Sequence, residues 1–324
     1  MNINQINKLI QQDIINVNFE IHKRLKSKIT LINKLIQYII NSGGKKIRSS
    51  MVLLIAKSLT YKKNQHVIIA TLIEFIHAAT LLHDDVVDTS EMRRGKITAN
   101  IMFGNAASVL VGDFIYTRAF QMMTELQSLR ILSLMANAVN IIAEGEIMQL
   151  IHCHDPTITI NHYMKIIYNK TARLFEVASQ TSAILANADI KQEQALGNYG
   201  KYIGIAFQLI DDVLDYDTSN TILFGKHTGN DLNEGKPTLP LLHAIHHSTP
   251  KEASIIRQAI KNGNNRHLLN IILNTMQQYG SLEYTRKCAE TKINQAISCL
   301  SILPASPYKK ALKNLAYFII HRYH

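Results

Sequence analysis

Six aspartates in two matching groups are the residues of this chain most able to do chemistry: Asp84, Asp85 and Asp88, then Asp211, Asp212 and Asp215. Each group follows an apolar run, Ala78-Ala79-Thr80-Leu81-Leu82 in the first case and Ile205-Ala206-Phe207-Gln208-Leu209-Ile210 in the second. Like charges four apart on a helix repel, and burying an unpaired carboxylate is costly. Such groups are expected only where cations neutralise them. At 3.6 residues per turn, positions i and i+4 lie about 40° apart around a helix axis. Asp84 and Asp88 therefore share a face, as do Asp211 and Asp215, while Asp85 and Asp212 sit about 100° to the side in a supporting position. Oxygen-only ligands select hard cations, and Mg²⁺ takes a few carboxylates together with substrate phosphates. The spacing predicts a phosphorylated substrate held through bridging magnesium. Two copies 127 residues apart suggest one divided site.

Other polar residues fall in register with these groups. His77 stands two helical turns before Asp84, and Gln208 stands three and four residues before Asp211 and Asp212. Arg93 and Arg94 follow the first group, with Gly95 behind them. Gly43-Gly44-Lys45-Lys46-Ile47-Arg48 opens an earlier helix, with Lys45 and Arg48 three apart on one side. Helix N-termini and guanidinium groups both favour phosphate. Lys170 and Thr171 lie in a mid-chain helix, and the polar segment from Asp217 to Pro237 carries Lys226 and Lys236. So long a loop beside an aspartate group suits a lid over an anion. Each signal alone has a bland reading as a helix end, a surface turn or a core histidine. Their joint occurrence points to chemistry.

The elements that must position these residues are helical. Leu9, Ile10, Ile14, Ile15 and Val17, then Leu31, Ile32, Leu35 and Ile39, recur at three- and four-residue spacings and do not alternate. Breaks at Ser42-Gly43-Gly44, Gly104-Asn105, Asp155-Pro156, Thr249-Pro250, Asn262-Gly263-Asn264 and Pro304 to Pro307 cut the chain into about a dozen helices. No convincing strand pair emerges. The 324 residues, 47% hydrophobic and 18% charged, suffice for one large all-α domain over 1–324, a helical bundle around a central cavity. The net charge of +11 comes from basic residues that are mostly dispersed, so a nucleic-acid footprint is not expected. Three cysteines, Cys153, Cys288 and Cys299, with no Cys-x-x-Cys, suit a reducing cytoplasm. The N-terminus does not read as a signal peptide, and no uninterrupted apolar run reaches the roughly 20 residues of a membrane span. No integral membrane association is expected.

Leu81-Leu82-His83-Asp84-Asp85-Val86-Val87-Asp88 with Met92-Arg93-Arg94-Gly95, and Phe207-Gln208-Leu209-Ile210-Asp211-Asp212-Val213-Leu214-Asp215, resemble the two aspartate-rich regions of the trans-isoprenyl diphosphate synthases. Gly225-Lys226 and Asp231-Leu232-Asn233-Glu234-Gly235-Lys236-Pro237-Thr238 resemble the family's lysine-bearing loop. The resemblance runs over essentially the whole chain and is nearest to the bacterial long-chain, octaprenyl members that serve quinone biosynthesis. It implies an all-helical, homodimeric, magnesium-dependent prenyltransferase. Asp84 and Asp88 would hold two Mg²⁺ ions and Asp211 a third. Arg93, Lys170, Thr171, Gln208, Lys226 and Lys236 would bind the allylic diphosphate, and Lys45, Arg48, His77 and Arg94 the isopentenyl diphosphate. Lys170 and Lys226 would also assist departure of the diphosphate. Three positions depart from the family pattern: Lys46 for the usual arginine, Ser49 for a frequent proline, and Asn230 for a common aspartate. Arginine and lysine are not interchangeable at bidentate sites, so the first puts isopentenyl diphosphate affinity in doubt.

Ala79 lies five residues before Asp84, about 7.5 Å along a helix. It and Thr80 are small where bulky aromatics make short products in the family, which implies a long-chain enzyme. Phe75, Met122, Met123 and Met135 are candidates for the floor of the product space. Three other readings compete: a terpene cyclase or head-to-head synthase, a shorter-chain synthase, and a noncatalytic partner subunit, which would be expected to carry a degraded aspartate group.

Overall fold

The computed structural model describes residues 3–93, 95–217, 228–263 and 266–321. Its helices are α1 (Ile3–Leu9), α2 (Gln11–Arg24), α3 (Thr30–Asn41), α4 (Ile47–Ser58), α5 (Gln65–Val87), α6 (Ala99–Phe103), α7 (Asn105–Glu125), α8 (Leu129–His152), α9 (Ile160–Ile167), α10 (Arg173–Leu185) and α11 (Ile190–Tyr216). There follow α12 (Asn230–Asn233), α13 (Leu239–His247), α14 (Pro250–Asn262), α15 (Leu269–Gln278), α16 (Ser281–Cys299) and α17 (Pro307–Ile320). The expectation of an all-α chain holds. Short helices such as α1, α6 and α12 carry the number past a dozen, because sequence periodicity is blind to elements of one or two turns. Among the described residues one two-residue strand pair stands against expectation: Met92–Arg93 pairs antiparallel with Lys96–Ile97, too short to alternate visibly.

Contacts divide the chain into two compact units. The first comprises Met1–Asn137, Glu176–Gly197 and Cys299–Leu315. Its centre is α5, which packs along α7 and against α4 and α2. Helix α4 is buried nearly all round, its three serines included. Val17, Ile21 and Leu25, four apart, form the buried stripe of α2. Asp13 on the same helix receives Lys57 at 3.0 Å and His66 at 3.1 Å. Burial pushes this carboxyl up, but hydrogen bonds from His66 and Lys57 outweigh it and hold the group below its usual range. Helix α10 is tied to α4 by the Ser182 hydroxyl, which donates to the Val52 carbonyl at 2.8 Å.

The second unit comprises Ala138–Phe175, Asn198–Ser298 and Ala316–His324. Its apolar cluster joins Tyr216 to Leu232, Leu241, Ile256, Ile260, Ile272 and Met276. Between α9 and α10 the chain runs continuously through a π turn at Tyr168–Ala172, where the Arg173 N–H donates to the Tyr168 carbonyl, five residues back. Among the described residues, two helices are long and apolar enough to cross a membrane: α5, whose apolar window is 61% buried in the fold, and α8, whose window is 28% buried.

Candidate active site

The first aspartate group falls in the last turn of a long helix and the second in the last two turns of another. Asp84 and Asp85 close α5, Asp88 is its C-cap, and Asp211, Asp212 and Asp215 close α11. A helix C-terminus carries partial negative charge and favours cations. Three carboxylates there are placed against the field unless a cation joins them, which strengthens the argument made from spacing.

In the first unit Asp84 and Asp88 are half-buried and one turn apart, the Asp88 N–H donating to the Asp84 carbonyl at 2.8 Å. Asp85 is buried and takes the Arg93 Nε–H at 2.6 Å. Burial pushes the Asp85 carboxyl up, Arg93 draws it down, and Asp84 and Asp88 push it up again; the net shift is upward. Arg93, expected at the allylic diphosphate, thus holds the supporting aspartate, carried there by the hairpin that turns at Gly95. His83 was not singled out from the sequence. Its ring sits over Gly112 of α7, where a Cβ would come within 2.3 Å of Nε2, and lies 3.2 Å from the Val109 carbonyl. This contact fixes the turn of α5 that bears Asp84. The glycine inside α7 was the one available signal.

The three aspartates of the second unit have three different surroundings. Asp211 is half-buried. Asp212 is buried, accepting from the Tyr163 hydroxyl and from Gln208 Nε2 at 2.9 Å. Burial, followed by the nearby Asp231 charge, pushes the Asp212 carboxyl well up. Asp215 accepts the Asn230 N–H at 3.2 Å on one oxygen and the Asp231 N–H at 2.9 Å on the other, while its carbonyl takes the Gly229 N–H at 2.8 Å. Asp215 is therefore a clasp on the returning chain. Asn230 engages it through its backbone, so the aspartate-to-asparagine departure leaves the clasp intact.

Gln208 joins two elements: the Thr171 hydroxyl donates to its carbonyl oxygen at 2.8 Å, and its amide donates to Asp212. Lys170 is held by Glu146 at 2.5 Å and Gln149 at 2.7 Å, both on α8. Lys170 and Thr171 lie in the π turn, a distortion frequent at functional sites. Two glycines admit it. A Cβ at Gly145 would stand 2.7 Å from the Lys170 nitrogen, and one at Gly204 would stand 2.4 Å from the Ala172 Cα. Gly197, seven residues earlier on α11, would meet only Gln180 at 3.8 Å. Gly204→Ala is therefore expected to destabilise the fold by about 1–3 kcal/mol through overpacking. Gly197→Ala should be neutral or stabilise by up to about 1 kcal/mol, since alanine favours the helix. Urea unfolding of the two variants checks the contrast, and equal stabilities would refute the tight fit.

The remaining expected residues are distributed as follows. Lys45 is exposed and Arg48 half-buried at the start of α4. Lys46, in the left-handed conformation at φ 45, turns its ammonium to Asn18 of α2; burial lowers its pKa. His77 is half-buried on α5, as phase with Asp84 requires. Ala79 and Met123 are buried, and the Thr80 hydroxyl donates to the His77 carbonyl at 2.9 Å. Lys236 pairs with Glu234 at 2.6 Å. The preceding Gly235, at φ +69, abuts the His154 ring, whose backbone N–H donates to the Gly235 carbonyl at 2.8 Å. Arg94 and Lys226 lie outside the described residues.

Among the described residues no three acidic, histidine or cysteine side chains converge as a protein-only metal cage. The half-buried pair Asp84 and Asp88, and Asp211, instead offer hard oxygen donors at helix ends. That suits a cation completing its shell with substrate oxygens.

The sequence profile of the polyprenyl synthetases matches residues 29–276. The chain belongs to the polyprenyl synthetase family. It is 57% identical over 322 residues to the octaprenyl diphosphate synthase of Escherichia coli strain K12 and 51% identical to that of Haemophilus influenzae. Both alignments cover 99% of this chain, and 99% and 98% of the relatives. The crystal structure of a Caulobacter crescentus polyprenyl synthase, complexed with calcium and isoprenyl diphosphate, is similar with a TM-score of 0.94 at 39% identity, covering 98% of this chain and 97% of that one. The fold is the all-helical isoprenyl synthase fold, and the protein is an enzyme, a prenyltransferase that makes long-chain polyprenyl diphosphates.

Proposed function

We propose that this chain extends farnesyl or a similar allylic diphosphate with isopentenyl diphosphate to an all-trans octaprenyl diphosphate, the side-chain precursor of a quinone. The observation that carries it is full-length likeness to octaprenyl diphosphate synthases, with both aspartate groups intact at helix C-termini.

In this reading Asp84 and Asp88 would hold two Mg²⁺ ions and Asp211 a third when substrate is bound. The metal would neutralise the allylic diphosphate and stabilise the charge that develops as it leaves. Lys170, Thr171, Gln208, Lys226, Lys236 and Arg93 bind that diphosphate. Lys170 would exchange its present partners, Glu146 and Gln149, for phosphate oxygens, so its ammonium is already ordered before the anion arrives. Lys45, Arg48, His77 and Arg94 orient isopentenyl diphosphate, whose double bond attacks the allylic carbon; fixing two anions face to face is the entropic share of catalysis. The released diphosphate takes the final proton. Lys46, turned to Asn18, is no ligand in this scheme.

The enzyme is proposed to be a cytoplasmic homodimer with each chain a single domain. The boundaries between its two contact units fall inside continuous helices, which supports one domain. Leu129, Ile147, Leu150 and Ile151 of α8 are 58–84% exposed, an apolar face suited to a second copy. Purified protein incubated with farnesyl diphosphate, isopentenyl diphosphate and Mg²⁺ should yield octaprenyl diphosphate by chromatography. No product from the protein alone would favour the partner-subunit reading, and a product of a few units the shorter-chain one.

A further inference from the structure

The basic charge of this chain is not dispersed after all. From Ile21 to Ile73 there are 11 lysines and arginines and no aspartate or glutamate, which leaves 24 basic against 24 acidic residues in the rest. Some of these cations are engaged within the fold: Lys57 with Asp13, Lys46 with Asn18, and Arg24 with Glu125 through two 2.7 Å bonds and with Glu20. Lys26, Lys28 and Lys34 are exposed and have no ion-pair partner among the described residues; Lys23 contacts Glu20 at 3.4 Å and helps hold the Glu125 carboxyl low.

Large apolar side chains stand exposed beside them. On α2 the buried stripe is Val17, Ile21 and Leu25. Ile15 and Phe19, four apart, lie about 160° from Val17 to either side at 100° per residue, directly away from the core. They are 51% and 65% exposed. Ile29 and Leu31, at the start of α3, are 59% and 47% exposed. The intervening turn is braced by Asn33, whose side chain accepts the Ser27 N–H at 3.0 Å and donates to the Ser27 carbonyl at 2.8 Å. Arg24 on Glu125 pins the end of α2 to α7. The braced corner from α2 to α3 thus exposes an aromatic, three aliphatics and the lysines Lys26, Lys28 and Lys34.

We propose that the α2–α3 corner docks the enzyme on an anionic phospholipid surface. Aromatic and aliphatic groups flanked by lysines are the composition that partitions into a headgroup region; of the acids at this corner, Glu20 and Glu125 are both paired with Arg24, and none occurs from Ile21 to Ile73. A product with a long hydrocarbon tail and a diphosphate head belongs in a bilayer, so docking would place synthesis beside its destination. The binding claim itself stands apart from product length.

The test is co-sedimentation of the whole protein with phosphatidylcholine vesicles, with and without phosphatidylglycerol, at low and high salt. Binding should require phosphatidylglycerol and weaken with salt, as screening demands. Each lysine near such a surface is worth about fivefold in partitioning, so Lys26→Ala with Lys28→Ala should lower it by about 25-fold. Phe19→Ser should lower it at low salt as well. Turnover of short soluble substrates should be unchanged in both variants, since none of these residues touches the proposed site. Equal binding to neutral vesicles, indifference to the lysine pair, lost turnover, or a change of solution mass in Phe19→Ser would each overturn the proposal, the last by showing that a second copy covers the patch.

Discussion

Asp84→Ala is expected to lower kcat by about 10³-fold, roughly 4 kcal/mol of transition-state stabilisation, while leaving the protein folded. The expectation rests on position. Asp84 is half-buried in the last turn of α5, one turn from Asp88, and removing one carboxylate from the negative end of a helix relieves repulsion. A residue kept for stability would show the opposite balance, a large loss of stability with little change in rate. Asp85→Asn is the informative companion. That aspartate pairs with Arg93 and would act through it, so its loss should cost less in kcat than loss of Asp84. Steady-state rates over a Mg²⁺ titration, with thermal unfolding as the control, check both. An Asp84→Ala enzyme within tenfold of the parent would remove Asp84 from the metal site.

Ala79→Tyr is expected to shorten the main product by several isoprene units. Ala79 is fully buried on α5, on the helix that carries Asp84 and against which α7 packs. An aromatic side chain there would either fill the proposed product space or, in a filled core, cost stability through overpacking. The two outcomes separate cleanly. A variant that still turns over but releases short chains supports a product path beside Ala79. A stable, active variant with unchanged products by chromatography refutes it. Ala79→Leu offers a milder intrusion if the tyrosine variant fails to fold, and it should shift the distribution the same way.

What the chain's sequence made legible was chiefly what repeats. Helices show themselves through spacing, and spacing alone set Asp84, Asp88 and His77 on one side of α5 and Gln208 beside Asp212 on α11. Roles that depend on distant partners were not legible. Tyr163 lies 49 residues from the Asp212 it holds, and no pattern in either segment announces the pairing. The unlike tasks of Asp212 and Asp215 were hidden for the same reason, since the sequence presents them as copies of Asp85 and Asp88. Arg93 could be placed near the first group but not onto Asp85, because a four-residue hairpin decides its direction. The clustering of positive charge was visible in principle; averaging over the whole chain concealed it, since the other residues balance to zero.

The π turn at Tyr168–Ala172 can be viewed as an α-helix holding one residue more than its ladder needs. Each residue rotates a helix by 100°, so that extra residue uncouples the phase of α9 from that of α10. Tyr163, Ile166 and Ile167 on one side, and Phe175, Val177 and Ala178 on the other, are all buried without having to form one continuous stripe. Removing a single residue from 168–172 would therefore do more than shorten a loop: it would turn every side chain on one flank by more than a quarter of a revolution relative to the other. A change of length here disturbs both flanks at once, where a substitution acts at one position, and Lys170 and Thr171 are fixed in place by counting as much as by contact.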